Sequence, residues 1–132
     1  MQQSFTDFGV SARIVRALAE RDITTPFPIQ AKVLRDALAG RDVLAKAPTG
    51  SGKTIAFAIP IVERVDAGDR RPAAVVLVPT RELALQVTGE LEALAPKGIE
   101  IATVYGGVPV GAQAKRARAA HVLVATPGRL ND

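Results

Sequence analysis

The chain has 132 residues, 48% apolar but only 4% aromatic, which predicts a small aliphatic core and excludes disorder over most of its length. A net charge of +4 permits an anionic partner without requiring one. Cysteine is absent, which excludes a disulfide framework and a thiolate metal site and agrees with a reducing cytoplasm. No apolar run is long enough to span a membrane. The opening "MQQSFTDF" lacks the basic and apolar regions of a secretory signal.

In chain order, strands and helices alternate. "SARIVRALAER" (11–21) reads as a helix, with Ser11 as its cap and Ile14 and Leu18 on one face. "PIQAKVLRDALAG" (28–40) reads as a second, with Pro28 in the first turn and Gly40 as the stop. "DVLAKA" (42–47) is a short apolar run and a predicted strand. Lys53 to about Val65 is helical in pattern, with a kink expected at Pro60. "AAVVLV" (73–78) is a second predicted strand. Thr80 caps the next helix, whose stripe is Leu83, Val87, Leu91 and Leu94. "IEIATVY" (99–105) and "HVLVA" (121–125) are further strands, with a weaker helix near 110–119 between them. The runs 73–78 and 121–125 are nearly all apolar, as in strands buried on both faces. The predicted fold is therefore α/β, a parallel sheet with flanking helices. Ligands in such sheets sit beyond the carboxyl ends of the strands.

The stretch "APTGSGKT" (47–54) follows the first predicted strand. A polyphosphate must be wrapped closely by backbone N–H groups, and Gly50 and Gly52 permit that approach. The helix beginning near Lys53 points its positive end at the phosphates. Lys53 supplies a point charge, and Thr54 offers a hydroxyl to Mg²⁺. Ala47 stands where the usual phosphate-loop pattern has its first glycine. The motif implies a nucleoside triphosphate but no particular reaction.

Four more stretches narrow the reading: "ITTPFPIQ" (23–30), "PTRELALQ" (79–86), "YGG" (105–107) and "ATPGRL" (125–130). Together with the phosphate loop, and in this order, they resemble the amino-terminal half of the catalytic core of DEAD-box ATP-dependent RNA helicases. The resemblance runs from about Phe5 to the end. It implies a RecA-like domain, ATP and Mg²⁺ as cofactors, and single-stranded RNA as partner. Thr49, Gly50, Ser51, Gly52, Lys53 and Thr54 would hold the phosphates, with Lys53 and Thr54 serving the chemistry. Residues 1–40 would form the adenine-recognition region and 41–132 a partial ATP-binding domain. Gln30 is assigned the reading of adenine, whose edge offers one donor and one acceptor, while Phe5, Ile23 and Pro26 would flank the base. The family has a glycine and an aromatic residue where this chain has Asp22 and Ile23, so weaker adenine binding is expected. Phe27 is expected to pack, and Phe5 to anchor the terminus as readily as to touch the base.

Pro79, Thr80, Arg81, Gly106, Gly107, Thr126, Pro127, Gly128 and Arg129 resemble the family's RNA-facing elements. Helix starts, small hydroxyls and one arginine per segment suit a sugar–phosphate backbone, so RNA binding should be sequence-tolerant. Gln86 is expected to make a structural hydrogen bond. The run "KRAR" (115–118) reads as a solvated helix face, and His121 as structural.

The Asp-Glu-Ala-Asp segment, the Ser-Ala-Thr segment and the second domain of the family are not in this sequence. The chain is expected to be a helicase fragment, inactive alone, with hydrolysis and unwinding only in its parent. Because those segments carry central strands, "DVLAKA" and "AAVVLV" are expected to expose edges and to favour strand exchange or aggregation. Another phosphate-loop enzyme, such as a DNA helicase or kinase, and a non-enzymatic RNA- or partner-binding module are the alternatives.

Overall fold

The computed structural model describes residues 4–46, 53–106 and 110–130. It forms two compact units, Met1–Arg64 and Val65–Asp132. This division by packing falls later than the division by role expected at residue 40, because the helix after the phosphate loop packs on the one before it.

The first unit is helical among its described residues. It holds α1 (Ala12–Ala19), α2 (Pro28–Leu38) and α3 (Lys53–Arg64), preceded by a single 3-10 turn at Phe5–Phe8. Ile14 and Leu18 are fully buried, as the helical spacing requires. α1 closes with hydrogen bonds from the N–H of Ile23 to Leu18 O and of Asp22 to Ala19 O. This end needs a left-handed residue, and Asp22 takes that conformation with φ 59°. α2 closes the same way around Gly40 at φ 85°, with Arg41 N–H on Asp36 O and Gly40 N–H on Ala37 O. α3 continues through Pro60 to Arg64.

Ser11 departs from expectation. Its hydroxyl makes no capping bond and is buried without a partner. Its backbone N–H instead donates to Glu63 Oε1 at 2.8 Å, tying the start of α1 to the end of α3.

The second unit carries the sheet. Its elements are β1 (Ala74–Leu77), α4 (Arg81–Leu94), β2 (Ile101–Val104), α5 (Val110–Ala119), β3 (Val122–Ala125) and a last turn of helix, α6 (Pro127–Leu130). The strands lie in the order β1-β3-β2, all parallel. Val122 aligns with both Ala74 and Ile101, and Ala125 with both Leu77 and Val104. α4 carries the chain from one edge to the other, and α5 returns it to the middle. Ala102, Val104, Ala120, Leu123 and Ala125 form a continuous apolar cluster, with Ala117 of α5 against it. On α4 the buried stripe is Ala84, Val87, Thr88, Leu91 and Leu94; Leu83 is only half-buried. Thr88 Oγ1 bonds Ala84 O at 2.8 Å and meets Thr103 Oγ1 at 2.6 Å, linking α4 to β2.

His121 opens β3 with no exposed surface. Its Nδ1 accepts from Glu100 N–H at 2.9 Å, and its Nε2 lies 3.0 Å from Ala67 O. A carbonyl can only accept, so Nε2 is the donor in that pair. Its structural assignment is correct.

Two strand expectations fail. Residues 42–46 form no strand, and Val43 and Leu44 are exposed. A strand has no internal hydrogen bonds, and the sheet among the described residues offers this run no partner. β1 is also not buried on both faces, since Val75 and Leu77 are exposed while Ala74 and Val76 are half-buried. It is an edge strand, whereas β3, of like composition, is central and buried throughout.

Candidate functional site

The expected phosphate side has its first described residues in α3. Thr49, Gly50, Ser51 and Gly52 lie outside the described residues. Lys53, the first residue of the helix, is exposed, and Thr54 beside it is half-buried. The first-turn N–H groups of a helix lack internal acceptors and carry roughly half a positive charge. A lysine and a hydroxyl at that end fit a polyphosphate and its metal. Among the described residues no three His, Cys, Asp or Glu side chains gather to hold a metal. A Mg²⁺ here would depend on Thr54 and the phosphates themselves, a mode suited to an ion that keeps several waters.

In the adenine region, Gln30 is 1% exposed. Its Oε1 accepts from Phe27 N–H at 2.9 Å, reaching back over the first turn of α2 as a third helical residue often does. Gln30 thus has a local structural task whether or not it meets a base. Phe5 is buried and anchors the amino-terminal segment, with Phe8 and Val10. Ile23 and Pro26 are half-buried. Phe27 is exposed, which corrects the expectation that it packs; it precedes Pro28 as the cap residue and its ring lies outward.

The expected nucleic-acid side lies on the sheet of the second unit. Parallel strands share one carboxyl end, so "PTR" after β1, "YG" after β2 and "TPG" after β3 emerge along the same side. Thr80 Oγ1 accepts from Leu83 N–H at 3.2 Å and caps α4, as predicted. Pro79, Thr80 and Arg81 are exposed, as are Gly106, Pro127 and Gly128; Thr126 is half-buried. Thr126 N–H donates to Val104 O at 3.1 Å, which joins the ends of β2 and β3. Gly107 lies outside the described residues, and Arg129 falls within α6.

One contact escaped the sequence reading. The Arg81 guanidinium sits over the ring of Tyr105, 4.7 Å from its centroid. Tyr105 is the only tyrosine of the chain and stands immediately after β2, next to a glycine. That placement was the available signal. Gln86 is exposed. Lys115, Arg116 and Arg118 of α5 face solvent, as predicted.

A model of the DEAD/DEAH box helicase family matches residues 27–132. Nucleolar RNA helicase 2 of Rattus norvegicus is 41% identical over 136 residues, covering 98% of this chain and 17% of that protein. DEAD-box ATP-dependent RNA helicase 53 of Oryza sativa subsp. japonica is 45% identical over 131 residues, covering 94% of this chain and 21% of that protein. The crystal structure of a DEAD box protein from the hyperthermophile Methanococcus jannaschii superposes with a TM-score of 0.91 at 38% identity, covering 98% of this chain and 36% of that one. This chain therefore spans about a fifth of the length of these curated relatives.

Proposed function

The chain belongs to the DEAD/DEAH box helicase family, and from that premise we propose that it is part of the first RecA-like domain of an ATP-dependent RNA helicase. The observation that carries the RNA part is the common carboxyl end of β1, β2 and β3, where the exposed Pro79, Thr80 and Arg81, Gly106, and Pro127 and Gly128 follow the three strands. Such groups meet phosphates and sugars and leave base edges unread, so binding is sequence-tolerant.

In this reading Thr49–Thr54 cradle the phosphates of ATP, Lys53 binds the β/γ-phosphates and Thr54 holds Mg²⁺. Gln30 reads the adenine edge, with Phe5, Ile23 and Pro26 around the base. Pro79, Thr80, Arg81, Gly106, Gly107, Thr126, Pro127, Gly128 and Arg129 follow the RNA backbone. Bound ATP with Mg²⁺ would supply the energy of unwinding through phosphoryl transfer, and the residues of this chain bind and orient it. Hydrolysis belongs to the longer parent protein. The exposed Val75 and Leu77 on edge strand β1 support strand exchange between copies of the isolated segment. No helix among the described residues is long and apolar enough to cross a membrane. The cytoplasm is the proposed location, supported by the absence of cysteine.

The test is RNA-stimulated ATP hydrolysis by the parent protein. Lys53→Ala should abolish it, and Gln30→Ala should weaken ATP binding more than GTP binding. Undiminished turnover in Lys53→Ala would overturn the assignment. Equal losses for ATP and GTP would leave Gln30 as a helix-start residue alone.

A further inference from the structure

We infer that Tyr105 is a positioning residue for RNA: its ring, lying beneath the Arg81 guanidinium, holds that cation where it receives a backbone phosphate. This rests on the RNA reading above and adds to it a residue and a mechanism.

Arg81 is the first residue of α4, one position after its cap Thr80, at the carboxyl end of β1. Tyr105 follows β2, on the other edge of the sheet, with β3 between. The two residues are far apart in sequence and on different elements, yet the guanidinium lies 4.7 Å from the ring centroid. Arg81 has no carboxylate partner among the described residues. Its side chain is exposed, while Tyr105 is half-buried. The moving group is therefore the arginine, and the better-anchored group is the ring.

The chemistry of the contact is specific. A guanidinium is planar, and its N–H donors all lie in that plane. An aromatic ring beneath the cation attracts it without occupying its N–H donors as a carboxylate would, so donors stay available for a phosphate contact. A free arginine loses rotamer entropy when it is fixed in one place. The ring contact removes part of that loss before the ligand arrives. α4 also presents its first-turn N–H groups beside Arg81, so a phosphate held there meets the positive end of a 14-residue helix. The hydroxyl of Tyr105 is not required by this argument; the aromatic face is.

The experiment is equilibrium binding of a fluorescein-labelled 20-nucleotide oligouridylate to the full-length protein with an ATP analogue present, over a salt series. Arg81→Ala should weaken binding and make the dependence of log K on log salt shallower by about 0.7, the loss of one phosphate contact to a single strand. Tyr105→Leu should weaken binding about two- to fivefold with the wild-type salt slope, because the cation remains and only its orientation is lost. Tyr105→Phe should bind like wild type. In the Arg81→Ala background, Tyr105→Leu should add nothing. Wild-type affinity in Tyr105→Leu, or an equal loss from that substitution with and without Arg81, overturns the inference while leaving RNA binding intact. A loss in Tyr105→Phe as large as in Tyr105→Leu would assign the effect to the hydroxyl and overturns it as well. Absence of RNA binding by the wild-type protein overturns the RNA reading itself, and this inference with it.

Discussion

β1 and β3 carry almost the same kind of sequence, "AVVL" and "VLVA", and pair with one another residue for residue. Yet β3 is buried along its whole length, and β1 alternates between half-buried and exposed. The difference is position. Among the described residues β3 has a strand on each side, while β1 has one neighbour. An apolar run says that a strand tolerates burial, and only its neighbours decide whether burial occurs.

The sharpest way to break this comparison is to make the same truncation in both strands. Leu123 is 5% exposed and Leu77 is 56% exposed. Leu123→Ala should cost about 2–5 kcal/mol through the cavity it leaves in the central strand. Leu77→Ala should cost less than about 0.5 kcal/mol, as at other exposed positions. Urea unfolding of both variants measures the gap, and equal losses would show that β1 is covered in solution.

The entrance to β3 should be nearly as sensitive. His121→Ala removes the acceptor for Glu100 N–H and the group facing Ala67 O, at a position with no access to water. Leaving such groups unpaired costs about 1–3 kcal/mol. A denaturant midpoint within error of wild type would mean that water enters and replaces the ring.

Smaller effects are expected where local chemistry decides. Thr80→Ala should cost about 1 kcal/mol, because one cap bond to Leu83 N–H at the exit of β1 is lost. Asp22→Gly should raise stability by about 1 kcal/mol, since φ 59° strains a residue with a Cβ and not a glycine. A fall in melting temperature in Asp22→Gly would show that the Asp22 side chain contributes more than its backbone loses. Ser11→Ala is expected to change stability least, within about 0.5 kcal/mol and toward a gain, because the hydroxyl it removes is buried without a partner. A loss of about 1 kcal/mol would mean that the hydroxyl caps α1 in solution.

The candidate site was legible wherever short-range chemistry defines it. The lysine and threonine after two glycines, the cap at Thr80, and the turn residues after each strand all carry their meaning in a few neighbouring positions. Gln30 shows the limit of such reading. Its amide suits an adenine edge, yet in the fold it also reaches back to Phe27 N–H, because the third residue of a helix lies under the cap. The contact between Tyr105 and Arg81 was missed because the two are 24 positions apart and meet only when β2 and α4 are packed.

Sequence by itself determined the parallel α/β plan, most helices and the family's order of motifs, because periodicity, caps and glycine turns act over a few residues. Tertiary structure decided which apolar run became a central strand, which an edge, and which, at 42–46, no strand at all. A strand's hydrogen bonds and buried faces belong to its neighbours, and no short stretch of sequence names them. The same reason moved Ser11 from a cap to an anchor on Glu63 and placed Arg81 over Tyr105.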